Sequence, residues 1–162
     1  MKNYAVLFVC MGNICRSPTA DGVFRHKLKE HGLTDKVTVD SAGTHNFHPG
    51  SPPDARSQHH ASQRGYDLST LRARQITASD FEQFDLILAM DWDNLALVQQ
   101  LCPPQHQRKV RRMTEFCATL DSAVVPDPYY DGPSAFENVL DLVEDASEGL
   151  IRHIKRLTKR PE

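Results

Sequence analysis

The sequence predicts an α/β fold built on a parallel sheet, and two observations indicate it. Residues 4–9 and 86–90 are wholly apolar runs of strand length, typical of strands that are buried on both faces. Segments with the apolar spacing of helices separate such runs. Strands that alternate with helices need crossover connections, which make neighbouring strands parallel. Because the 162 residues contain no repeat and no linker, we expect one domain.

The predicted elements follow one another in a regular order. Strands are predicted at residues 4–9, 37–39, 86–90 and, more weakly, 110–113. Helices are predicted at residues 17–30, 54–64, 91–101 and about 136–157. The first helix begins at Ser17 because a proline follows at the first helical position. Asp54 and Asp91 are expected to cap the second and third helices. The last helix has the clearest apolar stripe.

Charge and composition exclude several classes of function. Lys plus Arg is 19 and Asp plus Glu is 21, so the net charge of -2 argues against nucleic-acid binding. No stretch approaches the length of a membrane span, and the apolar run near the N-terminus is too short for a signal peptide. Four cysteines without an export signal indicate reduced thiols. We therefore expect a cytoplasmic protein with no membrane partner.

The segment between the first strand and the first helix carries the most informative pattern. Residues 10–17 read Cys-Met-Gly-Asn-Ile-Cys-Arg-Ser. In parallel sheets, ligands bind beyond the carboxyl ends of the strands, which is where this segment lies. Successive backbone N–H groups beside a helix N-terminus form a cradle for phosphate. The segment therefore predicts a phosphate site formed by Met11, Gly12, Asn13, Ile14, Cys15 and Ser17.

Two side chains of this segment supply the predicted chemistry. The helix dipole and Arg16 favour the thiolate form of Cys10, and the hydroxyl of Ser17 could hydrogen-bond to it. A thiolate is a nucleophile, and the planar guanidinium of Arg16 can hold two phosphoryl oxygens. The alternative is a buried structural cysteine beside a serine that caps the helix.

A second segment has the same spacing but a different backbone. Cys102 and Arg108 are also six residues apart, but two prolines directly follow the cysteine. Prolines have no N–H to donate and hold the chain extended, so this segment cannot form the cradle. In the first segment, Gly12 and Asn13 tolerate the left-handed conformations that a tight loop around an anion requires.

These residues resemble the phosphate-binding loop of the low-molecular-weight protein tyrosine phosphatases. The likeness covers residues 4 to about 157, and its further motifs are Asp-Ser-Ala-Gly-Thr at 40–44, Pro-Asp-Ala-Arg at 53–56, Ala-Arg-Gln-Ile at 73–76, Asp-Leu-Ile-Leu-Ala-Met-Asp at 85–91 and Val-Pro-Asp-Pro-Tyr at 125–129. The resemblance implies a flavodoxin-like, single-domain three-layer sandwich: a four-stranded parallel sheet of order 2-1-3-4 with helices on both faces. It also implies hydrolysis of phosphotyrosine and small aryl phosphates through a cysteinyl-phosphate, without a metal or other cofactor.

The resemblance also decides the expected role of an aspartate near the C-terminal end. From the residues alone, Asp127 between two prolines is either a carboxylate held over the phosphate or a turn aspartate. The resemblance implies that Asp127 is the general acid. It further implies that Phe47, Tyr129 and Tyr130 are aromatic residues of the substrate pocket.

One departure from the family pattern concerns the support of the loop. Asn13 and Ser41 resemble residues that hold the loop in shape from behind. Many relatives carry a histidine just before the Ala-Arg-Gln motif, whereas Leu71 and Arg72 occupy that region here. The sequence therefore leaves open how Asn13 is held.

Several other functions compete with this interpretation. An arsenate reductase of similar fold needs further cysteines on a mobile segment, and Cys102 and Cys117 form no close pair there. A related arginine phosphatase tends to have threonine in place of Ile14. An aspartyl phosphatase would use the Asp-Trp-Asp at 91–93, but expects threonine or valine where Leu95 stands. The non-enzyme alternative is a phosphopeptide-binding module with an inactive loop.

Cys15 has a separate predicted role. It follows Cys10 by five residues on a loop that curls around an anion, so the two sulfurs should come close. A neighbouring thiol can capture the sulfenic acid that peroxide forms on Cys10, giving a disulfide. The alternative is that Cys15 merely packs beneath the loop.

No metal site is predicted. His45 and His48, and likewise His59 and His60, have no cysteine or carboxylate at ligand spacing and are expected at the surface. The expected partner is a phosphotyrosine protein or an aryl phosphate, and the expected state is a monomer or weak dimer.

Overall fold

The computed structural model describes residues 4–158, which form one four-stranded sheet surrounded by helices. The strands are β1 (Tyr4–Cys10), β2 (Val37–Gly43), β3 (Leu86–Ala89) and β4 (Val110–Arg112). The helices are α1 (Arg16–Glu30), α2 (Ala55–Gln63), α3 (Asp80–Gln83), α4 (Trp92–Leu101) and α5 (Pro133–Thr158), and 3₁₀ turns cover Pro104–Lys109 and Met113–Phe116. None of the helices in this part of the chain is long and apolar enough to cross a membrane.

The strands are all parallel and lie in the order β2-β1-β3-β4, which confirms the predicted order. β1 is central because it is apolar on both faces. Phe8 of β1 lies opposite Ser41 of β2 and Leu88 of β3, so the register brings the carboxyl ends of these three strands to one edge. The segment that follows Cys10 therefore starts at the edge where ligands bind in such sheets.

A hydrophobic core lies on each face of the sheet. Val6 and Phe8 of β1 belong to the core that contains residues of α1, α2 and α5. Leu7 and Val9 belong to the other core, with residues of α3 and α4. Alternate residues of one strand thus serve opposite faces, as the two-residue repeat of a strand requires. The predicted three-layer arrangement is confirmed.

Several elements differ from the sequence-based prediction in their extent, including β3, which ends at Ala89, and α5, which begins at Pro133. β2 continues to Gly43, beyond residue 39, although the polar Asp40 and Ser41 interrupt its apolar pattern. Pairing with β1 continues through these residues, and Ser41 is buried. The four-residue α3 is too short to give a helical pattern and is not predicted. The fourth strand ends one residue before the predicted end, because Met113 begins a 3₁₀ turn.

Candidate active site

The segment of residues 10–17, which we call the cysteine loop, turns back on itself at the carboxyl edge of the sheet. The backbone N–H groups of Thr44 and His45 donate to the carbonyl oxygens of Cys10 and Met11, at 2.9 and 3.0 Å. These bonds hold the first carbonyl groups of the loop toward the end of β2.

The backbone N–H groups of residues 11–15 have no acceptor among the protein groups of residues 4–158. Asn13 within this run has a positive φ of 58°, the left-handed conformation that reverses the chain. α1 starts directly afterwards at Arg16, so its N-terminus points to the same place. Consecutive unpaired N–H groups beside a helix N-terminus form an anion-binding site.

Cys10 lies at the base of this loop and is 3% exposed. Its Sγ is 3.0 Å from Oγ of Ser17, in the first turn of α1. Ser17 accepts a 2.8 Å hydrogen bond from the side-chain amide of Asn13, so its own hydroxyl hydrogen is available to the sulfur. The competing acceptor for that hydrogen, the carbonyl of Ala42, is farther away at 3.4 Å. Ser17 can therefore stabilise a thiolate on Cys10.

Asn13 is held at both ends of its side-chain amide. Nδ2 donates to the hydroxyls of Ser17 and Ser41, at 2.8 and 3.0 Å. Oδ1 accepts a 2.9 Å hydrogen bond from the backbone N–H of Arg74. The Arg74 side chain is fixed in turn by an ion pair with Asp80 at 2.9 Å. The partner of Asn13 that the sequence left open is thus the backbone of the Ala-Arg-Gln motif.

Leu71, the departure from the family pattern noted in the sequence, is partly buried and packs against the hydrophobic core that contains residues of α1 and α5. Behind Ser41 lies the buried carboxylate of Asp21, whose Oδ2 has no hydrogen-bond partner within residues 4–158. Burial raises the pKa of Asp21, and the paired guanidinium of Arg25 offsets this only in part. A buried carboxyl group therefore lies next to Ser41, which accepts a hydrogen bond from Asn13.

Arg16 is almost fully buried, with 2% exposure, and its guanidinium is braced on one side. Nη1 donates to Oδ2 of Asp91 at 2.6 Å and to the carbonyl of Val125 at 3.0 Å. Burial alone would lower the pKa of Arg16, but neighbouring Cys10 and Asp91 raise it above its ordinary value. Nε and Nη2 have no acceptor in the described part of the chain, so one edge of the planar fork remains for a ligand.

One cavity of about 210 Å³ collects the predicted catalytic residues. Its lining residues are Cys10, Met11, Gly12, Ile14, Cys15, Arg16, Phe47, His48, Asp127, Tyr129 and Tyr130. Asn13, Ser17 and Ser41 lie behind the cysteine loop instead, where they support it. The cavity thus brings a thiol, a guanidinium and a carboxylate to one set of unpaired N–H groups.

Asp127 reaches the cavity from the connection between β4 and α5. We call residues 124–132 the Asp127 loop. Its incoming end is held by the residue that directly follows β3, because the N–H of Val125 donates to the carbonyl of Met90 at 2.7 Å. The carboxylate of Asp127 is exposed and accepts a 3.1 Å hydrogen bond from the N–H of Tyr129. The side chain is therefore oriented by its own loop and open to a ligand.

Aromatic side chains form the rim of the cavity. Phe47 is 59% exposed and Tyr130 is 91% exposed, while Tyr129 is 37% exposed. The ring of His45 stacks on Phe47 with ring centres 4.8 Å apart. His48, expected only at the surface, is half-buried and lines the cavity. Exposed rings around an anion site suit a ligand with an aromatic group.

The second segment with cysteine-to-arginine spacing lies outside this site. Cys102 donates from its thiol to the carbonyl of Pro103 at 3.4 Å. The chain then forms the 3₁₀ turn Pro104–Lys109, and none of these residues lines the cavity. Within residues 4–158, no group of three or more histidine, cysteine or carboxylate side chains is arranged to hold a metal ion.

Comparison with known proteins agrees with this geometry. The family model for low molecular weight phosphotyrosine protein phosphatases matches residues 5–160. The chain belongs to this family. A low molecular weight protein-tyrosine-phosphatase of Bacillus subtilis, YfkJ, is 37% identical over 152 residues, covering 94% of this chain and 96% of the relative.

Solved structures of this phosphatase family superpose closely. A protein tyrosine phosphatase of Entamoeba histolytica, with Hepes in its active site, matches with a TM-score of 0.93 at 42% identity, over 95% of this chain and 98% of the other. A Drosophila arginine phosphatase matches with a TM-score of 0.85 at 32% identity, over 96% of this chain and 98% of the other. The names of these two proteins specify different phosphorylated residues, although both superpose on this chain.

Cys15 of this family member lines the same cavity as Cys10, the predicted nucleophile, but its environment differs. It is buried, and burial, followed by the charge of Asp54, raises its pKa to about 12, although the hydroxyl of Ser57 opposes the shift. Cys10 and Cys15 are both unpaired thiols, and both line the cavity. At neutral pH, Cys15 is therefore a protonated thiol.

Sequence reasoning missed two supporting residues of the phosphatase site. From the sequence, Asp91 is only a helix cap, whereas in the structure it also binds Arg16. Arg74, whose backbone holds Asn13, gave no sign of this contact. The position of Asp91 directly after β3 was the available signal, because β3 neighbours β1 and their carboxyl ends share one edge.

Proposed function

We propose that this chain is a protein-tyrosine phosphatase that hydrolyses phosphotyrosine and small aryl phosphates through a cysteinyl-phosphate intermediate. The observation that carries the proposal is a single cavity lined by Cys10, Arg16 and Asp127, beside the unpaired N–H groups of residues 11–15. Membership of the phosphatase family supports the same reaction class.

In the first step, the thiolate of Cys10 attacks phosphorus and the bond to the aryl oxygen breaks. The N–H groups of the cysteine loop and the unused edge of Arg16 stabilise the transferring phosphoryl oxygens. Asp127 gives its proton to the departing oxygen, so the product leaves as a phenol. The phosphoryl group is then bonded to Cys10.

In the second step, a water molecule attacks the cysteinyl-phosphate. Asp127, now a carboxylate, takes the proton from that water, and the bond between sulfur and phosphorus breaks. Inorganic phosphate leaves, the thiolate of Cys10 is restored and Asp127 is again protonated. Ser17, at 3.0 Å from the sulfur, stabilises the departing thiolate.

The aromatic rim supports an aryl substrate over other phosphate esters. Phe47, Tyr129 and Tyr130 surround the mouth of the cavity and can pack on a phenyl ring. A phosphoarginine substrate, suggested by the Drosophila relative, has a flexible aliphatic chain and gains less from such a rim. Arsenate reduction would need a cysteine relay, and Cys102 and Cys117 do not line the cavity.

The proposal extends to cellular setting and regulation. We assign the activity to the cytoplasm, with a monomer or weak dimer as the active species and no nucleic-acid or membrane partner. We further propose redox regulation through Cys15, which lines the same cavity as Cys10. No metal or cofactor takes part in the proposed steps.

The deciding experiment compares substrates under one set of conditions. Wild-type protein, with a chelator present, should release phosphate from a phosphotyrosine peptide and from phenyl phosphate much faster than from phosphoarginine or phosphoserine peptides. A Cys10→Ser variant should release none. Preference for phosphoarginine would assign the chain to the other substrate class, and binding of phosphopeptide without turnover would make it a binding module.

A further inference from the structure

The N-terminal end of α2 lies between the two loops that carry the catalytic groups. The backbone N–H of Asp54, the cap of α2, donates a 2.8 Å hydrogen bond to the carbonyl of Ile14 in the cysteine loop. The carboxylate of Asp54 binds the guanidinium of Arg56, with Nε at 3.1 Å and Nη2 at 3.0 Å. Asp54 therefore links Arg56 to the cysteine loop.

The same guanidinium also contacts the other loop. Its central carbon lies 5.3 Å from the ring centre of Tyr129, which belongs to the Asp127 loop. It lies 4.7 Å from the ring centre of Phe136, in the first turns of α5 where that loop ends. Phe136 is 3% exposed, so this ring is a fixed point. Arg56 thus touches the Asp127 loop and the helix that anchors it.

We propose that Arg56 is a positioning residue that sets the distance between the carboxylate of Asp127 and the cysteine loop. The inference rests on the proposed function, because it concerns the delivery of the proton by Asp127. The link from Arg56 to Asp127 is short: Arg56 contacts the ring of Tyr129, and the N–H of Tyr129 donates to Oδ1 of Asp127 at 3.1 Å. Displacement of Tyr129 therefore moves the carboxylate directly.

Fold stability gives little reason for this arrangement. The side chain of Arg56 is 45% exposed, and it contributes to neither hydrophobic core. An exposed ion pair of this kind stabilises a fold only slightly. Its value lies in geometry, because one guanidinium pairs with the carboxylate of Asp54 through two nitrogens and also lies over two aromatic rings. Lysine cannot make both contacts at once.

The test separates proton delivery from phosphate binding. Arg56→Ala should lower kcat/KM about three- to ten-fold for phenyl phosphate and phosphotyrosine, whose leaving groups need a proton. For dinitrophenyl phosphate, whose leaving group needs none, the change should stay within about two-fold. Inhibition by inorganic phosphate should also stay within about two-fold of wild type, because the cysteine loop is intact. Arg56→Lys should recover only part of the loss.

Arg111 offers a matched control. It pairs with Glu115 at 3.0 Å and lies 4.7 Å from the ring centre of Phe116, the same chemistry away from the cavity. Arg111→Ala should leave every substrate unchanged within about two-fold. In an Asp127→Asn background, Arg56→Ala should cause no further loss, because the residue acts through Asp127.

The possible failures are distinguishable. An equal loss on all leaving groups, or a loss that persists undiminished in the Asp127→Asn background, would overturn the positioning role of Arg56. The inhibition constant of phosphate could instead rise by the same factor as the loss in kcat/KM. That result would also overturn the positioning role, since Arg56 would then support the cysteine loop. If Asp127→Asn itself shows no dependence on the leaving group, the proposed acid role is what fails.

Discussion

Nη1 of Arg16 donates a 2.6 Å hydrogen bond to Oδ2 of Asp91, which joins the helix after β1 to the end of β3. Oδ1 of the same carboxylate accepts a 2.7 Å hydrogen bond from the N–H of Asn94, in the first turn of α4. Asp91 therefore fixes its own position through α4 and uses it to hold Arg16. With Nη1 engaged, Nε and Nη2 remain without an acceptor among the described residues, on a side chain that lines the cavity. In the proposed mechanism, this edge of the guanidinium binds the phosphate.

We expect Asp91→Asn to weaken phosphate binding, because the amide can still cap α4 but no longer pairs with Arg16 as an ion. Loss of a charge-assisted hydrogen bond corresponds to about 10-fold or more in affinity. The measurement is inhibition by inorganic phosphate together with KM for phenyl phosphate. The control is Asp93→Asn, because Asp93 is exposed and follows Asp91 by two residues. This substitution should change neither the inhibition by phosphate nor the KM. Equal effects of both substitutions would contradict the role of Asp91 in holding Arg16 for phosphate binding.

The sheet was predictable because the apolar runs of β1 and β3 are each buried on both faces, and the pattern is visible in either strand alone. The contact of Asp91 with Arg16 was not, because the expected strand order brings the ends of β1 and β3 to one edge but does not say which side chains meet there. The same holds for Arg74, whose bond to Asn13 uses a backbone N–H that every residue has. Side-chain chemistry thus indicated Cys10 as the candidate nucleophile, whereas the contacts that support the site could be found only in three dimensions.

The nucleophile prediction concerns Cys10. Cys10→Ser should abolish turnover, because a serine hydroxyl is not ionised at neutral pH, while phosphate binding and the fold survive. Rapid quenching of the wild type should reveal phosphate on Cys10. Cys102→Ser is the control and should keep the rate within about two-fold, since Cys102 lies outside the cavity. Phosphate label on Asp91, or a demand for magnesium, would contradict the thiol mechanism.

The acid prediction concerns Asp127, which lines the cavity and is exposed to its ligand. Asp127→Asn should slow phenyl phosphate and phosphotyrosine by about 10²-fold or more, the usual contribution of general acid catalysis. Dinitrophenyl phosphate should be affected far less in its first step, because its leaving group departs without a proton. Burst kinetics separate that step from hydrolysis of the cysteinyl-phosphate. Equal losses on bond cleavage across the series would exclude Asp127 as the acid.

The buried carboxyl group of Asp21 predicts a dependence of stability on pH. Burial raises the pKa of Asp21 in the folded state, with Arg25 only partly opposing it. Its contribution to stability is therefore complete below the unfolded value, about 3.9, and is lost as pH rises through the higher folded value. Asp21→Asn, which is neutral throughout, should gain thermal stability relative to wild type between about pH 4 and pH 7.

Asp145 provides a control, because its pKa is shifted in the opposite direction to that of Asp21. Burial alone would raise its pKa, but hydrogen bonds from the backbone N–H groups of residues 118–120 lower it. Its contribution to stability is present above the unfolded value and lost as pH falls. Asp145→Asn should therefore lower the thermal stability most at neutral pH and only slightly in acid. Thermal unfolding of both variants across this range is the measurement. Parallel curves for the two variants would contradict the opposite pH dependence expected of Asp21 and Asp145.

The redox prediction concerns the thiol of Cys15. Peroxide should oxidise Cys10 to a sulfenic acid with release of water, and Cys15 should then displace water from it to form a disulfide. Dithiothreitol reduces that bond and restores activity. Peptide mapping after peroxide treatment should therefore find Cys10 joined to Cys15. Cys15→Ser should keep substantial phosphatase activity but lose recovery by dithiothreitol, because further oxidation of Cys10 is then unopposed.

The environment of Cys15 predicts how this protection varies with pH. Burial and the charge of Asp54 raise the pKa of Cys15 to about 12, so below that value its thiolate fraction increases about tenfold for each unit of pH. The thiolate is the attacking species. The rate of disulfide formation should therefore increase relative to the rate of irreversible oxidation between about pH 6 and pH 8. The recoverable fraction after a fixed peroxide dose should rise across that range. Full recovery of Cys15→Ser at every pH would instead show that Cys15 gives no protection, and Cys117→Ser, outside the cavity, should behave like wild type throughout.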